Sequence, residues 1–175
     1  MNKNGKFIYD TKEIAEQFNI FFLNTSNHII ENIPRVEKTY EQYLVNPSIH
    51  SIFLDPVDSY DVKTIISKLK PKTSSGFDEI SCKLIRLTAE SVIEPLTFII
   101  NLSITTGRVP NQMKVAKVVP IFKSGDQYNF SNYRPVSLLP DFSVILERTI
   151  YNKVVKYLDI NNTLYRHQYG FRKKT

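Results

Sequence analysis

The stretch from Val115 to Leu139 constrains this chain more than any other. Val115 to Phe122 is apolar and rich in β-branched residues, the composition of a buried strand. Ser124, Gly125 and Asp126 supply a turn, because Gly accepts a positive φ and Asp bonds its own backbone. A polar spacer follows, and Val136 to Leu139 returns as a second apolar run. The expected unit is a small antiparallel pair, Val115–Lys123 with Arg134–Leu139. Lys123 ends the first strand and Arg134 opens the second, where Pro135 holds Arg134 extended. Two cations at facing strand ends suit one anionic ligand. Arg offers phosphate oxygens a planar fork, and Lys offers a compact charge. The competing expectation is local: Arg134 pairs with Asp126 or Asp141 and pins the hairpin.

These residues carry a family resemblance. The run from Lys117 to Asp126, followed by Ser131 to Pro140, resembles the fingers of reverse transcriptases from non-LTR retrotransposons, near the jockey-like group. Lys72 to Ile80 upstream and His167 to Arg172 downstream extend the likeness, which is good over residues 51–175 and weak before them. Ordered blocks with matching spacers specify more than one short motif does. The resemblance implies an N-terminal helix and linker at 1–50, then reverse-transcriptase fingers and the start of the palm at 51–175. It also implies that Lys123 and Arg134 grip the triphosphate of an incoming deoxynucleotide, and that the loop with Ser75 and Gly76 lies close to the template. In this family the metal-binding aspartates follow the Gly170-Phe171-Arg172 block. The chain is therefore expected to be a fragment that ends before them.

Charge placement agrees with a polyanion partner. Residues 1–113 carry 12 Lys+Arg against 13 Asp+Glu, a balance of −1, whereas residues 114–175 carry 11 against 4, a balance of +7. The plainer expectation from charge alone is a solvated basic face. Within the last segment Arg172, Lys173 and Lys174 follow Phe171, and basic residues interleaved with aromatics can pair phosphates and stack on bases. A frayed terminus is the alternative there. The one cysteine, Cys82, excludes an intrachain disulfide and a cysteine-rich zinc site. No long uncharged apolar run suggests a membrane span, and Met1 opens a polar segment, so an intracellular protein is expected.

Along the chain, Asp10 or Thr11 caps a helix to about Ile29, with Ile14, Ala15, Phe18, Phe21, Phe22 and Ile29 on one face. This helix is expected to be a satellite, joined by a polar linker from Pro34 to Pro47. His50 to Leu54 reads as a short strand. Asp58 caps a helix whose buried stripe is Val62, Ile65, Ile66 and Leu69, and Lys68, Lys70 and Lys72 gather at its C-terminal end, the favourable pole for cations, with contact to a nucleic-acid backbone as the alternative role. Residues 74–78 form a loop that Gly76 bends, with Asp78 preferred over Ser81 as cap of the next helix. Helices then span Ser81–Glu90 and Glu94–Thr106, with Pro95 in the first turn of the second and Gly107 at its C-cap. The second is apolar nearly all round and is expected to be buried. A last helix runs from Asp141 to Leu158, with Lys153 and Lys156 near its end.

The fold class is accordingly α+β and helix-rich, with one small antiparallel hairpin. His28, His50 and His167 have no metal-ligand partner at helical or hairpin spacing, and no nucleophile–base arrangement stands out. No catalytic or metal-binding residue is assigned. By resemblance the complete polymerase uses Mg²⁺, an RNA template, a DNA primer and deoxynucleoside triphosphates, in a cytoplasmic and nuclear ribonucleoprotein. The chain alone is expected to bind no metal and to be inactive without the missing C-terminal half. The alternatives are a catalytically dead RNA-binding module and a decayed retroelement remnant.

Overall fold

A computed structural model describes residues 1–3, 5–34, 37, 39–43, 51–164, 167–168 and 170. The tail residues Arg172, Lys173 and Lys174 lie outside them. The described architecture is α+β, dominated by helix, in two compact units.

The first unit joins Met1–Val45 to Lys117–Leu138. Two short strands, β1 (Asn2–Lys3) and β2 (Lys6–Phe7), pair antiparallel ahead of helix α1 (Thr11–Glu31). Asp10 caps α1 by accepting the Glu13 N–H at 2.8 Å. The central hairpin forms as expected: β3 (Lys117–Phe122) pairs antiparallel with β4 (Tyr133–Leu138) in unbroken register. Its burial differs from expectation. Val118 is 48% exposed, and Ile121 and Phe122 are also exposed, because a two-stranded sheet covers neither of its own faces. Burial in this unit comes instead from aromatic rings. Phe18 of α1 lies edge-on to Phe130 at 4.8 Å and to Tyr133 at 4.9 Å between ring centroids. The Phe18 stripe is thus a packing surface, as its period suggests, and its partners include the hairpin loop. Ile29 and Ala15 fall on that stripe yet stay exposed.

The second unit joins Asn46–Ala116 to Leu139–Thr175. Its helices are α2 (Ser59–Lys68), α3 (Cys82–Leu87), α4 (Ala89–Thr106) and α5 (Asp141–Ile160). An aliphatic core unites them: Val62, Ile65 and Ile66 from α2, Ile85 from α3, Ile93, Leu96 and Ile100 from α4, and Ile145 and Leu146 from α5. Asp58 caps α2 through the Asp61 N–H at 2.7 Å. Asn101 clamps the chain before α2 onto α4, accepting the Val57 N–H at 2.8 Å and donating to the Val57 carbonyl at 2.9 Å. Gly107 ends α4 in the left-handed conformation, as expected.

Four expectations are corrected in this unit. Residues 51–54 of the expected His50–Leu54 strand pair with nothing among the described residues, and His50 lies outside those. Ser81, not Asp78, caps α3 through the Leu84 N–H; Asp78 accepts the Ile80 N–H and closes a local turn. The fourth helix starts at Ala89, which places Pro95 inside it and removes one rung of its hydrogen-bond ladder. Finally, that helix is buried on one side only. Ile100 is fully buried, whereas Phe98 is 67% and Leu102 50% exposed, because the core lies against the Ile93–Leu96–Ile100 stripe alone.

Candidate functional site

The hairpin presents the two cations on one face. Ile121 is the cross-strand partner of Arg134, and residues two apart on a strand share a face, so Lys123 and Arg134 project to the same side. The Lys123 N–H donates to the Asn132 carbonyl at 2.8 Å, which carries the ladder past the end of β3. The two residues are therefore diagonal neighbours, at roughly 7–8 Å between Cα atoms. Both are exposed. Among the described residues neither side chain makes an ion pair or a hydrogen bond. Asp126, one expected partner of Arg134, instead accepts the Tyr128 N–H at 2.9 Å.

The loop beneath the cations is rigidly tied. Gly125 takes φ +90°, and a Cβ there would come within 2.8 Å of the Asn132 amide. That amide donates to the Asp126 carbonyl at 2.9 Å, and the Tyr133 hydroxyl donates to the Gln127 carbonyl at 2.9 Å. A conformationally fixed loop holds Lys123 with little entropy left to lose on meeting a ligand.

Ser75 and Gly76 sit elsewhere, at the entry to α3. Ser75 bridges to Ser81 and is half-buried. Gly76 is required by close approach, not by a positive φ: a Cβ would stand 2.6 Å from the Pro140 nitrogen. Asp141 follows that contact. Burial raises its carboxyl above the ordinary range, and the nearby Asp78 pushes the same way against the Cys82 N–H and Lys72. Its Oδ2 is buried without a hydrogen bond, as is Ser143 Oγ. Burial, then the Asp141 charge, raises the Cys82 thiol, so this cysteine behaves as a core residue and not as a nucleophile.

No family model matches this chain. Individual relatives do. It is 35% identical over 119 residues, 67% of its length, to the RNA-directed DNA polymerase from mobile element jockey of Drosophila funebris. Its counterpart in Drosophila melanogaster is 34% identical over 133 residues, 75% of the chain. The probable RNA-directed DNA polymerase from transposon BS of Drosophila melanogaster is 29% identical over 169 residues, 92% of the chain.

The chain belongs to the RNA-directed DNA polymerase family of non-LTR retrotransposons.

It spans only 13%, 14% and 18% of the lengths of those three relatives. Within this segment of a polymerase, no group of three or more His, Cys, Asp or Glu among the described residues could hold a metal ion. The carboxylates present do not fit a two-metal centre, and no metal-dependent step is assigned to them. No helix among the described residues is long and apolar enough to cross a membrane.

The sequence leaves Lys68 open as a nucleic-acid contact but does not join it to the cations of α5. Lys68 of α2 and Lys153 and Lys156 of α5 are explained by helix dipoles when each helix is read alone. In the structure they line one cleft together with Arg148. A signal was present in the sequence, since Arg148, Asn152 and Lys156 recur every four residues. What the sequence lacked was the helix that faces them.

Proposed function

We propose that this chain is the fingers and the start of the palm of a retroelement reverse transcriptase, with the polymerase portion at 51–175, and that it holds template and incoming nucleotide. The observation that carries the reading is the pair of exposed cations, Lys123 and Arg134, diagonal on one hairpin face with no protein partner among the described residues. Two such cations suit the triphosphate of a deoxynucleotide, Arg134 through its fork and Lys123 as a point charge. Ser75 and Gly76 lie in the loop assigned to the template strand, with Ser75 the more accessible of the two. The basic tail at Arg172, Lys173 and Lys174 adds phosphate contacts. An RNA template, a DNA primer and Mg²⁺ belong to the complete polymerase, whose metal-binding aspartates lie in other segments, and the assembly works as an intracellular ribonucleoprotein. Alone, the chain gives background in a template–primer assay with Mg²⁺.

The test uses the polymerase rebuilt to the length of its jockey relatives. A charge-assisted hydrogen bond contributes roughly 1.5–3 kcal/mol, so Arg134→Ala raises the nucleotide KM about tenfold to a hundredfold. Arg134→Lys restores part of the loss, because the fork is gone. Melting temperature hardly moves, since Arg134 has no ion-pair or hydrogen-bond partner among the described residues. A sharp drop in melting temperature at unchanged KM makes Arg134 structural and removes the site. Wild-type RNA binding without any polymerisation by the rebuilt enzyme favours the RNA-binding module instead.

A further inference from the structure

The cleft between α2 and α5 has a volume of about 510 Å³ and lies wholly within the second unit. Four cations line it, Lys68, Arg148, Lys153 and Lys156, against one carboxylate, Asp61. Like charges gathered at a cleft repel one another and are held there only by the packing of their helices. Asp61 is the one opposing charge among the lining residues, which leaves a net balance of +3. Among the described residues, none of the four makes an ion pair, and Asp61 pairs with none of them. Arg148 is held over the Tyr151 ring at 5.6 Å from its centroid, which orients the guanidinium without neutralising it. The site is thus a concave, unneutralised cationic surface on rigid helices.

The layout of the charges selects the ligand. Arg148 and Lys156 are two turns apart on α5, and at 1.5 Å of rise per residue they are separated by about 12 Å along the axis. Lys153 lies between them and Lys68 faces them from α2. A single phosphate reaches one end of such a row. A chain of phosphates meets all of it, while the polar Asn152 and the apolar wall of Ile65 and Leu69 accept sugar and base edges.

We propose that this cleft is a binding site for a phosphodiester backbone, and that single-stranded RNA occupies it. The proposal rests on the reading that this chain meets nucleic acid, but it uses none of the residues assigned above to nucleotide, template loop or tail.

The experiment measures binding of the 175-residue chain to a 12-nucleotide single-stranded RNA across a salt series. The comparison is with a Lys68→Gln/Lys153→Gln/Lys156→Gln variant and a triple Lys→Arg variant at the same positions. Each phosphate contact contributes about 0.7 to the salt slope on a single strand. Removing three lysines lowers the slope by about two and weakens binding at least tenfold at 50 mM salt, and the Arg variant binds as wild type does. Circular dichroism of both variants matches wild type; if the Gln triple loses its helix signal, the exposed single changes Lys68→Gln and Lys156→Gln carry the test, each lowering the slope by about 0.7. An unchanged slope in folded variants, with wild type binding RNA steeply, overturns the cleft and leaves the reverse-transcriptase reading standing. Absence of RNA binding by wild type overturns both. Inorganic phosphate and a mononucleotide at millimolar concentration should compete poorly; if either displaces the RNA as readily as a second 12-mer does, the cleft is a single-phosphate site and the backbone proposal fails.

Discussion

The two units are stabilised by different means. The second has an aliphatic core to which four helices contribute, with Val62, Ile100 and Ile145 fully buried. The first buries only Ile8, Phe18 and Phe130 among its described hydrophobic residues, and its two-stranded sheet is open to solvent. A two-stranded hairpin is marginal on its own in water and needs a partner such as α1. The proposed nucleotide-binding cations therefore ride on the lightly packed unit, and the helical scaffold on the densely packed one. The hairpin compensates with its own tied loop, where Asn132 and Tyr133 hydrogen-bond the Asp126 and Gln127 carbonyls.

The sharpest way to break this contrast is to empty the aliphatic core. Ile100→Ala removes a fully buried side chain and should cost about 2–5 kcal/mol in urea unfolding followed by circular dichroism. A loss well under that range would mean the core is looser than its burial indicates.

The Asn101 clamp comes next. Asn101→Leu leaves the N–H and carbonyl of buried Val57 without their partners. Each unsatisfied group costs roughly 1–3 kcal/mol, so the total should approach that of the cavity mutant unless water enters. Unfolding midpoints of Asn101→Leu and Asn101→Asp, which keeps the acceptor alone, separate the two hydrogen bonds.

Phe18→Ala tests the aromatic side of the contrast. Beyond area burial, each ring pair contributes about 0.5–1.5 kcal/mol, and Phe18 meets both Phe130 and Tyr133. Amide hydrogen exchange should show β3 and β4 losing protection while α2 and α4 keep theirs. If all four lose protection together, the two units unfold as one and the comparison fails.

The smallest effect is electrostatic. The Asp141 carboxyl titrates above its unfolded value of 3.8 because burial disfavours its charge. Between the unfolded value and the raised native one, the folded state binds more protons, so stability rises as pH falls through that window. Asp141→Asn should flatten this part of the pH profile and raise the melting temperature slightly at pH 7. A melting temperature that drops instead would show that the charge at the start of α5 contributes more through the helix dipole than burial takes away.

Much of the local structure was legible. The caps at Asp10 and Asp58, the stop at Gly107 and the antiparallel pairing of β3 with β4 each depend on residues close together in the chain. That Lys123 and Arg134 share a face follows from alternation of side chains once the Ile121–Arg134 pairing is given. Choices between neighbouring candidates were not legible. Asp78 and Ser81 are both good caps; Asp78 is engaged by the Ile80 N–H in a local turn, and Ser81 accepts the Leu84 N–H at the start of α3.

The sequence by itself determined the hairpin strands, the caps at Asp10 and Asp58, the stop at Gly107 and the family the chain resembles, because those properties rest on short-range hydrogen bonding, steric preference and ordered motifs. Only the tertiary structure decided which apolar faces are covered. Periodicity shows that a face is apolar, but burial needs a second surface, and Phe98 and Leu102 lack one among the described residues while Phe18 finds the hairpin loop. The same reason governs the basic cleft. Lys68 lies about eighty residues before Arg148, and their charges become one field only because the aliphatic stripes of α2 and α5 exclude water between them and bring the two helices together.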